Sequence, residues 1–174
     1  MQTLKTIFAI LLTVAICETK AVGQAPHLGK EMIWGLSVDG ARMSIAVSNT
    51  VIASGSSFIV GVTVESTSTN DILLGESSPD VDFKVLLIDA SRRIFQLTRN
   101  TFVLNRFLVT HLRPGETRQW TIGVRVDRYY EPPGFRATEK VIPSGKYMLK
   151  ATRRLASNGK PFDLESNLIK MEIK

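Results

Sequence analysis

Residues 127–140, "DRYYEPPGFRATEK", hold the densest set of side chains suited to contact. Arg128, Tyr129, Tyr130, Glu131, Phe135 and Arg136 combine amphipathic rings, planar guanidinium groups and a carboxylate, the mixture that protein-binding surfaces favour. Pro132 and Pro133 remove two backbone donors and stiffen the stretch, and Gly134 lets it turn. The same residues suit a second purpose, in which one tyrosine and Phe135 fold back over the open end of a β core. Composition leaves both readings standing.

Catalytic chemistry finds little to build on. His27 and His111 are far apart, and neither has a histidine, cysteine or carboxylate at metal-binding spacing. The run "SGSSF" at 54–58 offers serines near glycine but lacks the strand-turn-helix setting of a nucleophile elbow. Asp80 and Asp82 are a carboxylate pair, yet "SSPDVD" lacks the dense acidic loop and terminal glutamate of a calcium site. The expectation is a protein that is not an enzyme, with no cofactor and no metal. A hydrolase whose residues converge only in three dimensions is the alternative.

The elements that would position the contact residues read as strands. Apolar side chains recur with period two, which puts them on one face of an extended chain: Met43, Ile45 and Val47; Phe58, Val60, Val62 and Val64; Phe83, Val85 and Leu87; Trp120, Ile122, Val124 and Val126; Tyr147, Leu149 and Ala151; Ile169, Met171 and Ile173. Turn formers separate these runs, and Asn158-Gly159 is the sharpest, since a two-residue hairpin needs positive φ at both positions. The prediction is all-β: an antiparallel immunoglobulin-like β-sandwich of about seven to nine strands. Two segments stand apart. Residues 101–112 are apolar at odd and even positions alike, as an extra strand or a buried crossover would be. After Val126, residues 127–140 are expected to form one long loop.

The first 25 residues read as a cleavable signal peptide. Lys5 precedes the apolar "IFAILLTVAI", about ten residues and far short of the roughly 20 that span a bilayer, and small residues follow for cleavage after Ala25 or Gly23. Cys17, the only cysteine, follows Ile16 rather than the small residue that lipid attachment needs, so the mature chain is read as free of cysteine, disulfides and any transmembrane segment. Domain organisation follows: 1–25 signal peptide, 26–40 N-terminal extended segment, 41–174 sandwich. Cleavage takes away Lys5, Glu18 and Lys20, leaving 20 of 22 basic and 15 of 16 acidic side chains and a net charge of +5. The location is exported, periplasmic or extracellular. That route, and basic residues not interleaved with stacking aromatics, exclude nucleic acid as a partner.

"LRPGETRQW", with Pro114, Gly115, Glu116 and Trp120, and "IPSGKYMLKATRR", with Pro143, Gly145 and Tyr147, resemble the strand entries of bacterial immunoglobulin-like domains similar to the intracellular proteinase inhibitor of bacilli. "VTVESTSTNDILL" and "FKVLLIDASRRIFQL" occupy the preceding places, so the resemblance covers residues 57–154. It implies the architecture, and it raises a protease inhibitor presenting 127–140 as the alternative within binding. None of that family's functional residues is matched. The leading expectation is a noncatalytic interaction module that contacts another envelope or secreted protein through 127–140 or an unpaired sheet edge. A lysine face of Lys146, Lys150, Lys170 and Lys174, with Arg154 near its edge, offers a further surface for an anionic glycan or lipid, or simply keeps exposed strands soluble.

Overall fold

The computed structural model describes residues 32–76, 78–98, 108–130, 137–138 and 141–174. Its strands are β1 (Ala41–Val47), β2 (Val51–Ile52), β3 (Ser57–Ser66), β4 (Ile72–Glu76), β5 (Lys84–Ile88), β6 (Ile94–Gln96), β7 (Leu108–Leu112), β8 (Thr117–Arg125), β9 (Tyr129–Tyr130), β10 (Ala137–Thr138), β11 (Gly145–Ser157), β12 (Lys160–Glu165) and β13 (Ile169–Ile173), with one helical turn, α1 (Pro79–Asp82). A small antiparallel sheet runs β1-β3-β8. The larger sheet runs β10-β9-β6-β5-β11-β13-β2, with β12 and β4 also paired to β11, and β7 to β4. Among the described residues of this sheet, only the β13 to β2 pairing is parallel. The chain is therefore all-β, and among the described residues no helix is long and apolar enough to cross a membrane.

The period-two runs account for the core. Met43, Val60, Val62 and Ile122 of the small sheet meet Val85, Leu87, Leu149 and Leu164 of the larger one in a single apolar cluster. Burial of this kind supplies the main driving force in a chain whose described part holds no cysteine. β11 is the hub: its first half pairs with β13, its second with β12, and its opposite edge with β5. The Asn158-Gly159 turn closes β11 onto β12 with φ of 50° and 75° between the paired Ser157 and Lys160, the two-residue hairpin that these residue types favour.

Two expectations are corrected or divided. Residues 127–140 are not one loop: Tyr129 and Tyr130 form β9, which pairs with β10 and, through Tyr130, with Gln96 of β6. Tyrosine fits a pleated, half-buried surface, and β6 offers an edge to continue. In the ambiguous segment 101–112, residues from Leu108 form β7, and 101–107 lie outside the described residues.

The edge of β1 is covered by other parts of the chain. Gly35 donates to the Met43 carbonyl at 2.8 Å, while the Asn167 amide accepts from Ile45 N at 2.7 Å and donates to its carbonyl at 3.3 Å. A Cβ at Gly35 would stand 2.2 Å from the Glu165 carbonyl, so only glycine allows this approach. Such coverage removes a template for edge-to-edge association.

Two arginines join the sheets. Arg118 of β8 donates to Glu116 at 3.0 Å, to Glu76 at 3.2 Å, to Thr110 at 2.8 Å and to the His111 carbonyl at 2.9 Å, clasping the small sheet to β4 and β7. The Arg113 backbone N–H and then Arg118 hold the Glu116 carboxyl below its ordinary range. Arg153 of β11, only 2% exposed, lies inside the core. Its guanidinium carbon is 4.6 Å from the Phe83 ring centre and 4.8 Å from that of Trp120. Nη2 donates to the Gly75 carbonyl at 2.9 Å and lies 3.8 Å from Asp82 Oδ2, and Nη1 has no hydrogen-bond partner among the described residues. Burial lowers the Arg153 pKa, opposed by Asp82 and Glu76.

Asp82→Asn is expected to cost about 3–5 kcal/mol because it strands a buried cation, and the Arg153→Met, Asp82→Asn pair less, because cation, orphan donor and carboxylate leave together; urea unfolding of both variants measures the order, and the reverse order would refute this account. A lowered carboxyl stabilises the fold above its unfolded value and loses that contribution as acid protonates it. The stability advantage of wild type over Glu116→Gln is therefore expected to hold above pH 4.5 and to fade as pH falls below it, in melting curves recorded across that range.

Candidate functional site

The strand β9 decides what its two tyrosines do, because successive side chains point to opposite faces. Tyr129 packs against the core, its ring edge-on to Phe95 at 5.0 Å. Phe95 in turn meets Tyr147 edge-on at 5.9 Å, and the Tyr147 hydroxyl donates to the Pro143 carbonyl at 2.6 Å. Tyr129 is thus the cap of the core.

Tyr130 lines a cleft of about 280 Å³ with Asp80, Thr98, Gly123, Arg125 and Arg128. The Thr98 hydroxyl, buried, donates to the Phe83 carbonyl at 2.8 Å and accepts from Val85 N at 3.0 Å, so that wall is fixed. Gly123 leaves the floor bare: a Cβ built there meets nothing within 4 Å. Arg125 and Arg128 both donate to the Asp127 carboxylate. Arg128 first, then Arg125, lower the Asp127 pKa against the opposing effect of burial. Two guanidinium groups share that carboxylate, Asp80 adds a second carboxylate to the lining, and the Arg128 side chain remains 47% exposed.

The cleft also opens on a strand edge. Ser66 N–H bonds to the Glu116 carbonyl, and Val126 N–H to the Ser56 carbonyl, so even-numbered residues of β8 direct their backbone groups at β3 and odd-numbered ones away from it. The N–H and C=O of Gly123 and Arg125 therefore point outward. Among the described residues β8 pairs with β3 alone, and α1 lies against it, with Asp80 at the cleft.

Of the residues expected to make contact, Arg128 and Tyr130 come together in the cleft and Tyr129 does not; Glu131, Phe135 and Arg136 lie outside the described residues. Arg125, Asp127, Thr98 and Gly123 were missed, although Arg125 follows the outward parity of β8. Arg153 was missed too, although its parity continues that of Tyr147, Leu149 and Ala151. The lysine face is divided: Lys150 pairs with Glu165 at 2.7 Å, Lys146 faces Glu172 across the strands, and Arg154 faces Asp163. His111 Nδ1 lies 3.6 Å from Asp71 Oδ2, both side chains about half exposed, and His111 does not line this cleft. Asp82 Oδ2 lies 3.8 Å from Arg153 Nη2, and Asp80 lines the cleft. Cys17 and His27 lie outside the described residues.

No family model matches the chain, and no curated protein matches it. Among solved structures, the C-terminal domain of wzt aligns with a TM-score of 0.47 at 11% identity, over 78% of this chain and 74% of that one. The structural genomics target SoR45 aligns with a TM-score of 0.43 at 11% identity, over 78% and 88%. A β-glucosidase from Listeria innocua in complex with isofagomine aligns with a TM-score of 0.37 at 13% identity, over 76% of this chain and 16% of that one. Likeness this distant carries nothing about activity.

Tyr129→Ala is expected to destabilise the protein by about 2 kcal/mol through loss of the packed ring, and Tyr130→Ala by less than about 0.5 kcal/mol, as for a surface change; chemical denaturation separates the two, and equal losses would contradict the division of roles.

Proposed function

We propose that the chain is a noncatalytic, exported interaction module of the bacterial envelope or exterior, built as an immunoglobulin-like β-sandwich, which binds another envelope or secreted protein at the cleft beside β8. The carrying observation is the coincidence of an outward-facing backbone at Gly123 and Arg125 with Arg128 and Tyr130 at the same place. An extended segment added to β8 would gain main-chain hydrogen bonds from the edge and side-chain contacts from the guanidinium groups and the phenol, the usual division of labour in strand addition. Tyrosine and arginine are the residue types that most often carry interface energy.

The immunoglobulin-like reading draws on the two sheets that share one core and on the Tyr147 hydroxyl bonded back to Pro143, an arrangement resembling the tyrosine corner of such domains. The exported location rests on the signal-like first 25 residues. At about 280 Å³ the cleft falls just short of the range of enclosed small-molecule sites, which favours a contact notch over a reaction chamber.

Capture from envelope and secreted fractions on the immobilised chain tests the reading. Partners retained by wild type and by Tyr129→Phe are expected to be lost with the Arg128→Ala, Tyr130→Ala pair and also with Gly123→Pro, which deletes an outward donor at a position where an edge strand tolerates proline. Equal retention by all four proteins would remove the cleft from consideration.

A further inference from the structure

The outer face of the larger sheet carries a groove of about 570 Å³, remote from the β8 cleft in its lining and its chemistry. Strand register sets its floor. Lys170 of β13 lies opposite Met148 of β11, Met148 opposite Ile88 of β5, and Ile88 opposite Ile94 of β6. One row across four strands therefore reads cation, apolar, apolar, apolar; its first three members line the groove, and Ile94 continues the row beyond it. Alternation places this row away from the core, since the neighbouring Leu149 and Leu87 are buried while Ile94 is 54% exposed. Beside it, Val51, 39% exposed, lies opposite Glu172, which lies opposite Lys146.

The charges gather at one end. Lys146 and Lys170 are diagonal neighbours on adjacent strands, a spacing of about 7–8 Å that two flexible side chains close readily onto a shared anion. Among the described residues neither lysine forms an ion pair, whereas Lys150 is held by Glu165. Asp89, which follows Ile88 at the end of β5, is engaged by Arg93 at 2.6 Å, so Glu172 is the groove carboxylate that faces the two ammonium groups. Lysines that merely kept a strand soluble would not need an apolar row leading away from them. Three strand spacings, roughly 14 Å, separate Lys170 from Ile94, long enough for an extended medium-length alkyl chain. The volume lies within the range of small-ligand sites, and Met148 supplies a pliable floor.

We propose that this groove binds a single-chain anionic amphiphile, with its alkyl chain along Met148, Ile88 and Ile94 and its anionic oxygens between Lys146 and Lys170. The lysines set the charge of the ligand, and the row sets its shape and direction.

Calorimetric titration of the full chain with dodecanoate, below its micelle concentration, provides the test. Saturable one-to-one binding is expected, at least about tenfold weaker for dodecanol, for the Lys146→Gln, Lys170→Gln pair and for Met148→Asp, and unchanged for Lys150→Gln. Circular dichroism of each variant confirms that the surface changes leave the fold intact. Absence of saturable binding by wild type, equal affinity for the alcohol, or indifference to the lysine pair overturns the proposal. So does equal binding of polygalacturonate, which would make the site one for polyanionic glycans, or a dimer in sedimentation that Met148→Asp dissociates, which would make the groove an interface between copies.

Discussion

The burial of one guanidinium constrains most of this architecture. Arg153 stands at an inward position of β11, the strand that touches β5, β12, β13 and β4, so it cannot be turned out without reversing the sidedness of the hub. A cation in that place requires compensation from several directions. Phe83 and Trp120 supply ring faces, Gly75 a carbonyl and Asp82 a carboxylate. Those four come from the end of β4, from α1 and its C-terminal flank, and from β8 of the other sheet. The single turn of α1 makes sense in this light: it buries none of its residues as core, yet it delivers Asp82 to Arg153 and Asp80 to the wall of the cleft. The device that neutralises the core cation also builds one side of the contact site.

Much of this could be read from residue order, where local physics and tertiary structure agree. The alternation through Phe58, Val60, Val62 and Val64 survives as an unbroken buried face, and Asn158-Gly159 turns as its residue types demand. Legibility failed where chemistry and parity conflicted. Arg153 has the parity of a core residue and the charge of a surface one; only the convergence of Asp82, Gly75, Phe83 and Trp120, distant in sequence, resolves the conflict. Tyr129 and Tyr130 failed differently, since a loop and a two-residue strand look alike until an edge such as Gln96 is there to pair with. The lysine face was legible in its pairing and not in its charge, because Glu165 of β12, opposite Thr152, reaches Lys150 diagonally across β11.

The two sheets also treat their open surfaces differently. In the small sheet the β1 edge is covered by Gly35 and Asn167, while the far edge of β8 keeps outward backbone groups at Gly123 and Arg125. In the larger sheet the outer face keeps an apolar row. Uniform protection would be the expectation for a domain that must only stay soluble.

That selectivity has a physical rationale. A side chain can be added to an exposed position at little cost in stability, so a backbone left bare by the described residues at Gly123 and an apolar side chain more than half exposed at Ile94 are not forced by the fold. The Tyr129, Phe95 and Tyr147 stack, by contrast, is forced, because an open end of the core would otherwise meet water. β9 meets both demands with adjacent residues: Tyr129 closes the core, and that anchoring fixes the half-buried Tyr130 and the exposed Arg128 at the cleft. A contact surface held in this way loses little side-chain freedom on binding, so its rigidity derives from the core rather than from the partner.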